Sequence, residues 1–360
     1  MRLNGQQTQQ QSEVSMLYLG LDVHKRFISV TVFNEHSYHS KAHVPTAELD
    51  AYILGLQQKH GDCKILAAYE AGFCGFSLHR HLLELHVPTL VVNPADIPTT
   101  DKQRTTKNDR SDSAKIAKAL SADALRGIWI PNEEVEGDRE LVRYRLKMLR
   151  ELNAVKNALK MRLLKHGIVL PKQYDNSSWS AGFRQWLGER TLPTPSSQRA
   201  FDLLLEEYDH RKQRYARHLV VLNELASTAR YAYKMFLLTS IPGIGRLTAL
   251  SLLTEIGPIE RFTTADQLAS YVGLVPMQHQ SGSSDRPMPI QRRAQTDLRS
   301  MLIQCAWTAI RCEQHFADLY ERKRSNKPGQ KAVVTVARRL LNIVYAVLKN
   351  KNPYQRATQS

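Results

Sequence analysis

The sequence predicts an α/β domain followed by a mainly all-α half, and three observations carry that division. Between residues 16 and 92, short β-branched or apolar runs alternate with helical stretches. From residue 133 the apolar spacing changes to steps of three and four, sustained through two long segments. The 360 residues are 42% hydrophobic, enough for two or three packed cores. The charge is lopsided, with 50 Lys and Arg against 34 Asp and Glu, a net +16. An excess of that size and sign points to a polyanion partner, nucleic acid ahead of an anionic membrane surface. No apolar run reaches the ~18 residues of a membrane span, and no signal-peptide pattern is present, so no membrane partner is expected. Cys63, Cys74, Cys305 and Cys312 form no CxxC pair. That spacing argues against a zinc ribbon or a disulfide framework and fits a reducing cytoplasm.

Residues 1–15 are polar and Gln-rich and read as a disordered tail. The first domain is expected over 16–130. Residues 17–23 form a buried strand that ends near Asp22, followed by His24 and Lys25. Residues 27–33 alternate as a second strand, and 37–44 suit a third. Residues 46–59 read as a helix with Leu49, Tyr52, Ile53 and Leu56 on one face. A fourth strand over 64–69 runs into Glu70, and Gly72 and Gly75 mark a turn. A helix follows over 76–86. Its His79, His81 and His86 lack HExxH spacing and are better read as packed or exposed than as ligands. A short strand over 89–92, a basic loop and another helix close the domain. Asp109 and Asp112 stand at the start of that last helix, Ser111 or Asp109 can cap it, and good helix formers continue it to Leu125.

The order is thus β-β-β-α-β-α-β-loop-α, with acids at two strand ends and at one helix start. Asp109 and Asp112, three apart, share a helix face. Ligand sites in open α/β sheets form at strand ends. Four such acids suit a hard divalent cation, Mg²⁺ or Mn²⁺, for phosphoryl transfer, in a ribonuclease H-like arrangement. The plainer reading is a capped, solvated first turn whose acids suit the helix dipole.

A helical coiled-coil region is expected over 131–235. Val142, Leu146, Leu149, Leu152, Val155, Leu159 and Leu163 form one stripe, stopped by Gly167 and Pro171. Residues 177–195 read as a linker containing Trp179 and Trp186. A second helix from about Ser197 carries the seam Phe201, Leu205, Tyr208, Lys212, Tyr215, Leu219, Leu222 and Ala226. That seam suits either an intramolecular helix hairpin or a dimerising coiled coil.

The last domain, expected over 236–350, opens with IPGIG. Between helices this reads as a helix-hairpin-helix turn, with Gly243, Gly245 and Arg246 offered to a phosphate. The plainer reading is a connector that needs glycine for φ > 0. GLVP and a Ser-rich loop with Ser281, Ser283 and Ser284 follow, then a core helix over 298–311. Lys331, Arg338 and Arg339 on a final amphipathic helix lie in a region far richer in bases than acids, a candidate nucleic-acid-binding surface.

LGLDVHK, AAYEAG and KNDRSDSAKIA resemble the RuvC-like domain of the DEDD transposases of bacterial insertion sequences, a family related to Piv-type DNA invertases. IPGIG, GLVP and the SG-containing loop resemble the C-terminal transposase domain of that family. The resemblance covers about residues 16–350. It implies that Asp22, Glu70, Asp109 and Asp112 are the DEDD metal ligands and that Ser281 is the nucleophile. It also implies double-stranded DNA as substrate, a coiled coil between the two domains, which favours the dimerising reading of the seam over 201–226, action as a homo-oligomer (dimer or tetramer) and, as in some relatives, a structured guide RNA. One departure is local: the family commonly has a glycine before the Leu-Arg helix, where this chain reads RRAQT. Two rival functions remain open at this point, a junction-resolving nuclease that uses water and a non-catalytic nucleic-acid-binding protein.

Overall fold

The computed structural model describes residues 15–34, 38–61, 63–98, 112–176, 178–275, 295–325 and 328–355. The chain divides into two compact units, Met1–Ile130 and Pro131–Ser360.

The first unit is built on a mixed sheet of β1 (Met16–Val23), β2 (Phe27–Phe33), β3 (Tyr38–Pro45), β4 (Lys64–Glu70) and β5 (Thr89–Val92). Their order is β3-β2-β1-β4-β5. The first three strands pair antiparallel, while β1–β4 and β4–β5 pair parallel. Each strand alternates between two faces. Leu17, Leu19 and Leu21 of β1 and Ile65, Ala67 and Tyr69 of β4 share one core with Ile53 and Leu56 of helix α1 (Leu49–Lys59) and Leu82 of α2 (Ser77–Glu84). Ala68 and Val92 face the other side and pack with Ile116, Ala119 and Leu120 of α3 (Asp112–Ser121). The helix expected over 46–59 opens as a 3₁₀ turn, Thr46–Glu48, before α1 begins. This architecture is consistent with a RuvC-like domain.

The second unit is helical. Helix α4 (Glu133–Lys165) is capped by Asn132, whose side chain accepts from the Val135 N–H at 2.9 Å, and Gly167 at φ +68° terminates it. Residues 177–195 contain helix α5 (Ala181–Gly188), so the expected linker is a packed element. Its Phe183 and Leu187 are buried with Leu159, Leu163, Phe201 and Leu205, and both tryptophans pack against that cluster. Tryptophan surface of this size is withdrawn from water wherever a hydrophobic neighbour exists, which makes the segment a cap on the tip of the hairpin.

Helix α6 (Pro195–Ala226) starts on a capping box between Thr194 and Ser197 and returns antiparallel along α4. Arg211 meets Glu151 at 2.9 Å and the His218 ring meets the Leu141 carbonyl oxygen at 3.1 Å. The seam is therefore filled within the chain, as the hairpin reading required, and it is not available to a dimerising coiled coil. Lys212 is exposed rather than part of the seam. The buried stripe passes instead through Tyr208 and His218, with half-buried Arg211 and Tyr215 between them. A helix of 3.6 residues per turn drifts from a strict heptad over this length.

Helices α7 (Ala232–Thr239), α8 (Arg246–Ile256), α9 (Ala265–Val272), α10 (Thr296–Cys312), α11 (Gln314–Arg324) and α12 (Gly329–Asn350) follow. Val142, Leu222, Ala226, Tyr231 and Met235 share one core with these helices, so the expected boundary after residue 235 falls inside a continuous core. Glu255, buried in α8, accepts two bonds from Arg143 of α4 at 2.6 and 2.8 Å and locks the hairpin base to it.

Since Leu205 is buried within one chain, Leu205→Ala should cost about 2–5 kcal/mol of stability without changing the mass seen by light scattering. Denaturant unfolding and scattering check this together, and a shift to a smaller particle with unchanged stability would contradict it.

Candidate functional site

Asp22 and Glu70 reach the same place for a reason of register. Leu21 and Tyr69 are direct partners in the parallel β1–β4 ladder and face the α1–α2 side. The next residue of each strand, Asp22 and Glu70, is therefore turned to the α3 side, where both strands end.

Asp112 is brought there by packing. A Cβ on Gly20 would lie 2.0 Å from the Ser113 carbonyl oxygen and 2.4 Å from the Ala117 nitrogen, so the backbone of α3 rests directly on β1 at a glycine. The buried hydroxyls of Thr31 and Ser113 are hydrogen-bonded at 2.8 Å and pin the same turn from β2. The first residue of α3, Asp112, is thereby held above the ends of β1 and β4. Sequence reasoning missed Gly20, Thr31 and Ser113. The only signal was a glycine inside a buried strand, which often marks a close backbone approach.

Electrostatics reports the convergence. The Glu70 carboxyl is raised above the usual carboxylate range, first by partial burial, then by the charges of Asp112 and Asp22, against which Lys115 acts in the opposite sense. The Lys115 ammonium donates to Asp112 at 2.7 Å, and the His24 ring meets Asp22 at 3.1 Å. The donor set is entirely carboxylate oxygen, which fits a hard divalent cation. Asp22, Glu70 and Asp112 offer such oxygens on one side of the sheet, within electrostatic reach of one another. Among the described residues no three His, Cys, Asp or Glu side chains are gathered closely enough to hold an ion. Asp109 lies outside the described residues, as do Ser281, Ser283 and Ser284. The histidines of α2 are engaged elsewhere: His81 meets Asp50 at 2.6 Å and His79 meets the Thr89 carbonyl oxygen at 3.0 Å.

In the second unit, IPGIG joins α7 to α8. Gly243 has φ +84°, and a Cβ there would lie 2.4 Å from the Cys305 carbonyl oxygen. The plainer reading thus accounts for this glycine, which admits the α10 backbone. Gly245 and Arg246 are exposed at the start of α8, and Arg246 donates to Asn223 at 3.2 Å. Lys331 and Arg339 are exposed on α12, whereas Arg338 is paired with Asp266 at 2.8 Å. All four cysteines are free, and among the described residues no helix is long and apolar enough to cross a membrane.

Two predictions follow from the first unit. Gly20→Ala should force α3 off the sheet, costing about 1–3 kcal/mol as an overpacked contact, and should abolish any thermal stabilisation by Mn²⁺. An unchanged Tm with intact Mn²⁺ response contradicts the contact. For Glu70, a raised carboxyl pKa means the folded state binds the proton more readily than the unfolded one. The group then opposes folding progressively as pH rises from the ordinary carboxylate range through the folded value. Glu70→Gln should raise the Tm of metal-free protein at neutral pH, with the difference closing in acid. A neutral-pH Tm below wild type would reverse the assigned sign.

Both units match known protein families. A family model of DEDD transposases, described as "Transposase", matches residues 19–167, which include most of β1 and all of β4 and α3. A second, described as "Transposase IS116/IS110/IS902 family", matches residues 235–321. The transposase-named protein y4rJ of Sinorhizobium fredii is 30% identical over 297 residues, 76% of this chain and 74% of that one. The transposase for insertion sequence element IS1111A of Coxiella burnetii is 26% identical over 300 residues, 78% of each chain. The pilin gene-inverting protein of Moraxella lacunata is 32% identical over 184 residues, 48% of this chain and 55% of that one. The two family models together take in both the sheet that carries the acids and the helices that follow the glycine turn, and the chain belongs to the IS116/IS110/IS902 family of transposases.

Proposed function

We propose that the chain cuts and rejoins DNA at a phosphodiester, using Asp22, Glu70, Asp109 and Asp112 as a metal-binding set and Ser281 as nucleophile. The observation that carries this reading is the placement of Asp22, Glu70 and Asp112 on one side of the sheet, close enough for two of them to raise the carboxyl pKa of the third. A divalent cation at these acids would polarise the phosphoryl oxygens and stabilise the leaving oxygen.

In the proposed step the Ser281 oxygen attacks phosphorus and its proton passes to solvent. The bond from phosphorus to the sugar oxygen breaks, and that oxygen takes up a proton as a free hydroxyl. The DNA is left as a phosphoserine ester. Rejoining runs the same exchange in reverse, with a DNA hydroxyl displacing the serine. The ester conserves the phosphodiester's energy, so the same broken bond can be resealed without an external energy source. Lys115 holds Asp112 and offsets the repulsion among the acids. The net charge of +16 supports a nucleic-acid partner, and in this reading DNA is the substrate and a structured RNA the guide.

The test is to incubate protein, Mg²⁺ and labelled cognate DNA, denature, and look for label on protein. Wild type should give an adduct, and Ser281→Ala none. Cleavage by Ser281→Ala at the normal rate would assign the attack to water or another serine. The nuclease reading would then stand.

A further inference from the structure

Helix α4 buries two arginines, and the fold treats them differently. Arg139 is 8% exposed and fully provided for: its Nε and Nη2 each donate to the Thr254 carbonyl oxygen at 3.1 Å, and the Glu255 carboxylate lies 3.6 Å away. Arg145, also 8% exposed, has no carboxylate partner among the described residues. Among the described residues its one hydrogen-bond acceptor is the Met301 thioether, 3.6 Å from Nη2, and its buried Nε has none. His218 senses the Arg145 charge, but burial first and then that charge push its pKa down, against the bond to Leu141. A guanidinium withdrawn from water is destabilising unless an anion or good acceptors compensate it.

Arg145 lines a groove of about 580 Å³ between α4 and α10, beside the IPGIG turn. Thr248 of α8 and Gln304 of α10 line it as well, with Arg150 at its edge. The Thr248 oxygen already accepts from the Cys305 thiol at 3.6 Å, which leaves the threonine O–H to donate. Gln304 is exposed and carries two amide N–H groups. Arg150 is already paired with Asp297 at 2.9 Å, and this carboxylate also lines the groove. The fixed unmatched charge is therefore Arg145, flanked by donors.

We propose that this groove is a binding site for a nucleic-acid phosphodiester, with the phosphate oxygens accepting from Arg145 and assisted by Thr248 and Gln304. Planar guanidinium donors match a phosphate, and this partner supplies the missing anion. The phosphate can come from DNA or from RNA. None of the groove's lining residues is one of the proposed acids or the exposed bases of α12. It rests on the reading of the chain as a nucleic-acid-binding recombinase.

The experiment is fluorescence anisotropy of full-length protein with a labelled DNA duplex and, separately, a labelled RNA hairpin, each at two or more salt concentrations. Arg145→Gln should weaken binding about tenfold, as loss of a charged hydrogen bond does, and lower the log–log salt slope by about one. The probe that responds identifies the source of the phosphate. Gln304→Glu, a surface change that leaves Arg145 in place, should weaken the same probe with unchanged circular dichroism and Tm. It decides the matter if Arg145→Gln fails to fold. Wild-type affinity and slope in both variants overturn the groove while leaving nucleic-acid binding intact. Failure of wild type to bind either probe overturns the recombinase reading itself.

Discussion

Gly20 has no side chain, and the backbone of α3 occupies the space where one would be. The candidate centre of the first unit depends on that contact. Strand pairing alone turns Asp22 and Glu70 to one side of the sheet, because Leu21 and Tyr69 are in register and the side-chain period is two. It does nothing for Asp112, which arrives on a different element. Only a helix seated at backbone distance on β1 can bring its first residue to the strand ends. The Thr31–Ser113 hydroxyl pair then fixes its position along the sheet, at a site too buried for water to compete. The outcome is a set of like charges held near one another by neutral packing, with Lys115 as the internal counter-charge.

The second unit is organised by a different economy of charge. Its long hairpin has apolar contacts at the tip and polar layers further down, where Arg211 meets Glu151 and His218 meets the Leu141 carbonyl. Toward the base, Arg230 binds Asp138 and Glu134, and Arg143 binds buried Glu255. Ion pairs of this kind contribute more to register than to net stability, because desolvation offsets much of their attraction. Two antiparallel apolar stripes could slide by a turn, but the paired charges are satisfied in only one alignment. Against that background Arg145 stands out, a buried arginine with no acid beside it among the described residues, lining a groove with only the Met301 thioether as acceptor.

The strands, the two long helices and the acids at strand ends were legible in the sequence, because each is a local pattern. Alternation reports a half-buried strand, steps of three and four report a helix face, and Asp22 and Glu70 stand where apolar runs stop. The family could likewise be recognised from short motifs. Which surface fills an apolar stripe is not local: Leu205 and Tyr208 read equally well as a dimer seam or a hairpin interior, and tertiary packing chose the hairpin. Residues 177–195 read as a linker because a short helix buries its aromatic side chains only against elements distant in sequence. Gly243 read as a phosphate loop or as a connector, and only the approach of α10 from sixty residues away shows why the turn needs a glycine there.

By itself, then, the sequence determined where chain segments are strand or helix, which acids end up at their ends, and that the surface is basic. The tertiary structure decided which of those groups meet. Asp112 joins Asp22 and Glu70 because Gly20 admits a helix backbone, and Arg139 is neutralised while Arg145 is not because Glu255 lies beside only one of them. The physical reason is common to both cases. Periodicity reports which way a side chain faces, whereas its partner is set by contacts between segments far apart in the chain.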